Sequence, residues 1–164
     1  MRVFRRVVLL VVGTALCGCA DLSHVPPQAA NAATLLIQNS SDNSVWPVGY
    51  KVASDCRDNF VLDPYAMTIA PGRTAKFVLP PDEPFSLSIS YHGYSGGPDY
   101  VNVPMTFTPK ANGVYRLAFS VTDRQYRVDM TRTMGADEVP DPTFEIKKML
   151  KPFLPGGAWC ARRE

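Results

Sequence analysis

The sequence predicts an all-β protein, an antiparallel β-sandwich with one short helix near the C-terminus. Three observations support this fold class. Between residues 34 and 132, seven or eight short apolar segments are separated by turn-forming residues, which is the spacing typical of sandwiches. Residues 85–91 alternate strictly between apolar side chains and serine, as a half-buried strand does. No part of residues 34–132 places its apolar side chains at the helical interval.

The predicted strands start at Thr34, after a stretch without periodicity. Pro47 and Gly49 lie inside the second predicted strand and indicate an edge strand or a bulge, because proline donates no backbone hydrogen bond. The Ala-Pro-Gly-Arg sequence at 70–73 favours a type II turn, since glycine accepts the positive φ that this turn requires. The predicted strands are 34–38, 45–54, 67–70, 74–79, 85–91, 100–108, 114–122 and 126–131, and the last two form a hairpin.

The segment Asn112-Gly113-Val114-Tyr115 resembles the tyrosine corner of immunoglobulin-like sandwiches, in which a tyrosine just inside a strand bonds to an earlier backbone group. A Tyr115 that is simply part of the core explains the same residues. We expect the sandwich to be immunoglobulin-like or transthyretin-like.

A short helix is expected after the last hairpin. Asp141 and Pro142 form a helix-start signal, with Asp as the N-cap and Pro at the first helical position. Pro152 should end the helix near residue 150 or 151. We expect this helix to cap the end of the sandwich, and the alternative is a docking helix for a partner. Its apolar residues recur at i, i+3, i+4 and i+7: Ile146, Met149, Leu150 and Phe153.

The N-terminal segment has the layout of a secretory signal peptide. Arginines at positions 2, 5 and 6 precede an apolar run, 7–12, and small residues follow. The apolar part extends to about Leu16, which is shorter than the roughly 20 residues that a membrane-spanning helix needs. We therefore expect this segment to be removed rather than kept as an anchor.

The end of this segment, Leu16-Cys17-Gly18-Cys19, resembles the bacterial lipobox, although Cys17 stands where alanine or serine is commoner. The resemblance implies that a diacylglyceryl group is attached to the Cys19 thiol, that a peptidase cuts before Cys19, and that the new amine is acylated. In enteric members of that family, Asp directly after the cysteine favours the inner membrane. Here Ala20 follows, which implies the outer membrane, with the domain facing the periplasm or exposed at the cell surface. The alternative is an ordinary signal that ends near Ala20 and releases a free exported domain.

The sequence therefore divides into four segments. They are a signal peptide (1–18), a lipidated cysteine with a Pro-rich flexible tether (19–33), a β-sandwich domain (34–132) and a C-terminal extension (133–164). Removing the signal peptide takes away three of the 17 basic residues and none of the 15 acidic ones, so the formal charge falls to about −1. No basic field remains to attract nucleic acid, which is therefore not expected as a partner.

Two cysteines, Cys56 and Cys160, remain after processing and lipidation. In an oxidising compartment we expect them to pair. The disulfide would close a loop of about 100 residues, which the chain-entropy model values at roughly 4–5 kcal/mol as an upper estimate. The two cysteines make a poor zinc site, because no further Cys or His lies near either of them at the spacing of zinc ligands.

The residues that could carry chemistry cluster around one loop. Gly93-Tyr94-Ser95-Gly96-Gly97 contains the G-x-S-x-G pattern of α/β-hydrolases, but the helix that should follow the serine is missing and His92 precedes it. A Gly-rich hairpin loop explains the same residues.

Tyrosines and a histidine around this loop could contact a ligand or a partner, because tyrosine offers apolar area with a polar tip. This predicted aromatic patch consists of Tyr91, His92, Tyr94 and Tyr100.

Other candidate sites are weaker. Asp55, Asp58 and Asp63 form an oxygen-rich stretch without the spacing of a calcium loop, so we expect no metal and no cofactor. Trp46 could be an exposed anchor, but a tryptophan in a strand is usually part of the core.

Together these observations predict a non-enzymatic lipoprotein of the outer membrane, with a β-sandwich that acts as a binding or assembly module of the cell envelope. Its expected partners are the lipid bilayer, through Cys19, and an envelope protein. The alternatives are a periplasmic serine hydrolase that uses Ser95 and His92, and a carrier of a small ligand or metal that uses the Tyr-rich loop.

Lipidation at Cys19 gives the first testable prediction. Changing Cys19→Ser removes the thiol that receives the lipid, so unprocessed precursor should accumulate, as seen by gel mobility and mass spectrometry. A variant that is cut normally, together with a wild-type protein without lipid mass, would contradict the lipobox assignment.

Overall fold

The computed structural model describes residues 30–63, 65, 67–93, 100–123, 125–151 and 157–163. Over these residues the chain forms twelve strands and no helix. The strands are β1 (Ala33–Asn39), β2 (Val45–Val52), β3 (Arg57–Val61), β4 (Thr74–Leu79), β5 (Phe85–Tyr91), β6 (Val101–Phe107), β7 (Val114–Thr122), β8 (Gln125–Met134), β9 (Asp137–Pro140), β10 (Glu145–Ile146), β11 (Lys148–Met149) and β12 (Cys160–Ala161).

Two five-stranded sheets pack against each other and confirm the predicted all-β sandwich. Sheet I has the strand order β4-β1-β7-β8-β9, and sheet II has the order β10-β6-β5-β2-β3. Neighbouring strands are antiparallel except β1 and β7, which run parallel. Strands β11 and β12 form a small antiparallel pair of their own.

The core lies between the two sheets and is built by alternation along each strand. In β1, Leu35 and Ile37 are fully buried, and in β5 the same is true of Leu87 and Ile89. Each such side chain contributes about 1.5–3 kcal/mol relative to an exposed position. Aromatic rings join the sheets as well, since the ring centroids of Phe107 in β6 and Tyr115 in β7 are 5.1 Å apart.

Several local features match the sequence prediction. Strands β5 and β7 have the predicted bounds. The turn at 70–73 is closed by a 3.1 Å hydrogen bond from the Arg73 N–H to the Ala70 carbonyl, and Gly72 has the positive φ, 69°, of a type II turn. The buried Tyr115 also makes the bond of a tyrosine corner, because its hydroxyl accepts the Lys110 N–H at 2.8 Å.

Strand β2 is not an edge strand, although it contains Pro47. It lies between β5 and β3, and pairing with β3 begins only at Val48. Pro47 therefore has a strand neighbour on one side alone, where it lies opposite Ile89. Its missing N–H removes no bond to β3, which explains how a proline is tolerated there.

The helix predicted after Asp141 is wrong. The Asp141 carboxylate does accept the Thr143 N–H at 2.7 Å, but only one turn follows, closed by the bond from Phe144 N–H to the Asp141 carbonyl. The chain then becomes extended, and Ile146 pairs with Met105 at the edge of β6. An isolated helix of about ten residues is marginal in water. The open edge of β6 offers backbone bonds and a place for Ile146 against the core, so strand pairing prevails.

The described parts of the C-terminal extension after β9, residues 141–151 and 157–163, form a tail that covers part of the outer face of sheet II. The Lys147 N–H donates to the Pro104 carbonyl of β6, and its ammonium donates to the Ser54 carbonyl beyond the end of β2 at 2.8 Å. Underneath, Ser86 and Ser88 point away from the core yet are only 0% and 1% exposed. Strand β5 is thus buried on both faces.

The predicted disulfide is present and fastens this tail. Cys56, in the turn between β2 and β3, is bonded to Cys160 in β12, 104 residues later. Both cysteines are buried and form a small cluster with Tyr50, separate from the main core. Beside the bridge, the Trp159 N–H donates to the Asp55 carbonyl at 2.9 Å.

The buried lysine of the tail gives a prediction about stability. Lys147 is 8% exposed and bonds two backbone carbonyls, whereas its neighbour Lys148 is exposed. Lys147→Met removes charge-assisted bonds that are worth about 1.5–3 kcal/mol, so the free energy of unfolding should fall by about that amount. Lys148→Met is the control and should stay within about 0.5 kcal/mol of wild type. Urea unfolding measures both, and equal values for the two variants would contradict the role assigned to Lys147.

Candidate binding groove

The structure separates Tyr91 from the rest of the predicted aromatic patch. As the last residue of β5, it follows Ser90 in the alternation and points into the core, where it is 4% exposed. Its ring lies 6.2 Å from that of Phe119, and its hydroxyl donates to the Asp42 carboxylate at 2.6 Å. The hydrogen bond to that carboxylate raises the pKa of Tyr91. Tyr91 is therefore a core residue and not part of an exposed surface.

His92 and Tyr100 are brought together on the surface, and Trp46 joins them. The His92 ring lies edge-on to both neighbours, with its centroid 5.2 Å from that of Trp46 and 4.8 Å from that of Tyr100. Trp46 was expected in the core but is 38% exposed, and Tyr100 is 52% exposed. Such edge-to-face contacts are worth about 0.5–1.5 kcal/mol each. We call these three residues the aromatic cluster.

Some predicted site residues lie outside the described residues. They are Cys19, Tyr94 and Ser95, together with most of the tether. Of the loop that carries the G-x-S-x-G pattern, the structure describes Gly93 alone.

A cleft of about 400 Å³ opens beside the aromatic cluster. It is lined by the aromatic side chains of Trp46 and His92 together with four small or polar residues, Asn43, Ser44, Thr68 and Gly93. The Asn43 side chain donates to the His92 carbonyl at 3.0 Å, which ties the loop after β1 to the end of β5. We call this the His92 cleft.

A second cleft, of about 270 Å³, runs along the outer face of sheet II and is called the Trp159 cleft. Its floor is set by strand register. Side chains on this face form rows that run across the strands. One row contains Trp46 of β2, Ser90 of β5 and Asn102 of β6. The next row along the strands, on the same face, contains Val48 and Ser88. Trp159 of the tail, 42% exposed, also lines it. The cleft therefore lies between Trp159 of the tail and the outward side chains of sheet II.

Tyr100 connects the two clefts. Its ring contacts His92 at the first cleft, while its hydroxyl accepts a 2.9 Å hydrogen bond from the Asn102 amide and lies 3.3 Å from the Ser90 hydroxyl at the second. We call the two clefts together the groove.

The polar groups of the groove are not fully paired with one another. The side-chain oxygen of Asn102 is buried and has no hydrogen-bond partner among the described residues. An unpaired buried acceptor costs about 1–3 kcal/mol. Deeper in the Trp159 cleft, the hydroxyls of Tyr50 and Ser88 are bonded at 2.9 Å, and burial raises the pKa of Tyr50.

The described lining of the groove contains no Asp, Glu, Lys or Arg. None of the three aspartates considered for calcium is in this lining, and the Asp55 carboxylate is paired with Arg57 at 2.8 Å. Over the described part of the chain, no three His, Cys, Asp or Glu residues are placed to hold a metal ion. What the groove offers is neutral: aromatic faces, hydroxyls and amides.

Sequence reasoning found His92 and Tyr100 but missed Ser90, Asn102 and Trp159. The alternation in 85–91 already placed the serines on the outer face. It could not show that a tail 60 residues later would leave one end of that face open, because this depends on the disulfide and on the edge of β6.

Comparison of the chain with models of protein families, with curated proteins and with solved structures finds no match. In the segments that the structure describes, there is no helix long and apolar enough to cross a membrane.

Burial of Tyr50 predicts how stability depends on pH. Because its pKa is raised in the folded state, its contribution is fully present below about pH 10, the ordinary tyrosine value, and is lost as the pH rises above it. Tyr50→Phe should be less stable at neutral pH by about 0.5–1.5 kcal/mol, because the bond to Ser88 is gone. Its stability should also decline less steeply above pH 10. Tyr65→Phe, at a side chain that is 98% exposed, should keep the wild-type slope in denaturant titrations, and a wild-type slope for Tyr50→Phe would contradict the assignment.

Proposed function

We propose that this chain is an outer-membrane lipoprotein whose periplasmic β-sandwich binds an envelope partner through the groove, without catalysing a reaction. The observation that carries the proposal is the aromatic cluster, which is exposed beside two preformed clefts. Concave sites with aromatic walls and a few polar groups are the usual form of binding sites. An aromatic cluster that served only the core would be covered by other side chains.

The surroundings of His92 favour binding over catalysis. Its imidazole contacts two aromatic rings, and no carboxylate of the described residues hydrogen-bonds it. In a serine hydrolase, by contrast, the catalytic histidine is oriented by a hydrogen bond to a carboxylate. Turnover of ester substrates that disappears in Ser95→Ala would contradict the non-enzymatic part of the proposal.

The proposed anchor determines where the partner is found. One acyl chain holds a protein at a membrane only marginally, and the three chains that the lipobox resemblance implies at Cys19 would hold it stably. The thirteen residues from 20 to 32, before β1, reach at most about 43–47 Å when extended and roughly 20 Å as a flexible coil. The groove would therefore meet partners close to the membrane surface.

Photo-crosslinking in intact cells tests this proposal. A photoreactive phenylalanine analogue is placed at Trp46 or Tyr100 in the full-length lipoprotein, and at Tyr65 or Tyr126 as exposed controls away from the groove. The two groove positions should give a discrete adduct in the envelope fraction, and the control positions should not. Equal adducts from all four positions, or none from the groove, would contradict a binding role for this surface.

A further inference from the structure

We infer that the groove binds a neutral oligosaccharide, an inference that rests on the proposed binding function and names its ligand class. The residues that carry it are three exposed aromatic side chains, Trp46, Tyr100 and Trp159, and the polar side chains between them, Ser90 and Asn102. Their chemistry matches the two surfaces of a sugar ring, one made of C–H groups and the other of hydroxyls.

The aromatic side chains supply the apolar contact. Trp46 projects from β2 and Trp159 from the tail, each beside a cleft, and Tyr100 lies at the junction of the clefts. Rigid aromatic rings give a large contact area at a small cost in side-chain entropy. The C–H face of a pyranose packs well on such a ring. Because the aromatic residues are distributed over two clefts that meet at the His92–Tyr100 ring contact, the inferred ligand is a chain of several sugars and not a single one.

The polar side chains supply hydrogen bonds suited to hydroxyl groups. The hydroxyls of Ser90 and Tyr100 can each donate and accept, and the Asn102 amide offers both functions. The unpaired oxygen of Asn102 lies under this row, so the local hydrogen bonding is incomplete in the free protein. This oxygen is an acceptor, so a ligand group that donates to it, such as a sugar hydroxyl, would complete the local hydrogen bonding.

Charge and topology disfavour other ligand classes. The described lining holds no Lys or Arg to balance an acidic or phosphorylated ligand, and no carboxylate to balance a basic one. A peptide that adds as a strand needs an open sheet edge. The groove instead lies on a face. There β5 has strand neighbours on both sides and β2 has them from Val48 onward, while Pro47, before that point, has no N–H to offer an added strand.

The chain contains two tryptophans, Trp46 and Trp159, and both line the groove, so intrinsic tryptophan fluorescence reports on this site alone. The purified mature domain, residues 20–164, is titrated with neutral oligosaccharides released from the envelope of the cells that produce the protein, and with soluble gluco-, galacto-, manno- and N-acetylhexosamine oligomers. Sulfated oligosaccharides and a neutral extended peptide are the comparison ligands. We expect a saturable change in fluorescence with the neutral sugars and none with the comparison ligands.

Single variants locate the binding. Trp46→Phe leaves Trp159 as the reporter and Trp159→Phe leaves Trp46, so the signal from each cleft is read separately. Tyr100→Ala and Asn102→Ala should each weaken binding by about 10-fold or more, as expected for removal of a central contact. Tyr65→Ala and Tyr126→Ala, which change exposed aromatic residues outside the groove, should leave the affinity unchanged.

Two results would overturn the inference. One is the absence of a response to every neutral oligosaccharide, including those from the cell's own envelope. The other is binding that survives Tyr100→Ala and Asn102→Ala unchanged. If either occurs while photo-adducts still form at Trp46 and Tyr100, the binding function stands and the ligand is of another class. If the adducts are missing as well, both proposals fail.

Discussion

The attachment of the C-terminal tail to the outer face of sheet II is the constraint on which the rest of this structure depends. An antiparallel sandwich commonly leaves both outer faces in water. Here the Cys56–Cys160 bridge and the bonds of the Lys147 ammonium hold the described parts of the tail, residues 141–151 and 157–163, across one face. The tail forms a second small buried cluster around the disulfide and Tyr50, and it closes one side of the groove with Trp159.

The sequence of β5 makes this attachment possible. Its outward residues are serines, which are small enough for another layer of chain to lie over them and can satisfy their own hydroxyls. Ser86 donates to the Ala53 carbonyl at 2.7 Å, and Ser88 is bonded to the Tyr50 hydroxyl. Ser90, one step further, is only partly covered and faces the groove. Strand β5 thus contributes apolar side chains to the core, two serines that support the tail, and Ser90 to the lining of the groove.

Local sequence patterns predicted those parts of the fold that depend on interactions between residues close together in the chain. Strict alternation located β5, the Pro-Gly pair located the turn at 70–73, and elimination among the cysteines located the disulfide. The helical spacing after Asp141 failed because a distant strand edge competed with it, and no pattern within the segment reports that edge. Trp46 was expected in the core because a tryptophan in a strand is usually buried, yet it lies opposite Ser90 on the outer face of sheet II and is 38% exposed.

Solvent access to Trp159 tests most directly whether the tail, held by the disulfide, makes the wall of the groove. In a Trp46→Phe background, acrylamide quenching of Trp159 is compared with and without the paired changes Cys56→Ser and Cys160→Ser. Quenching should increase when the bridge is absent, while the far-ultraviolet circular dichroism of the sandwich is retained. Unchanged quenching, or loss of the sandwich together with the tail, would contradict this role of the tail.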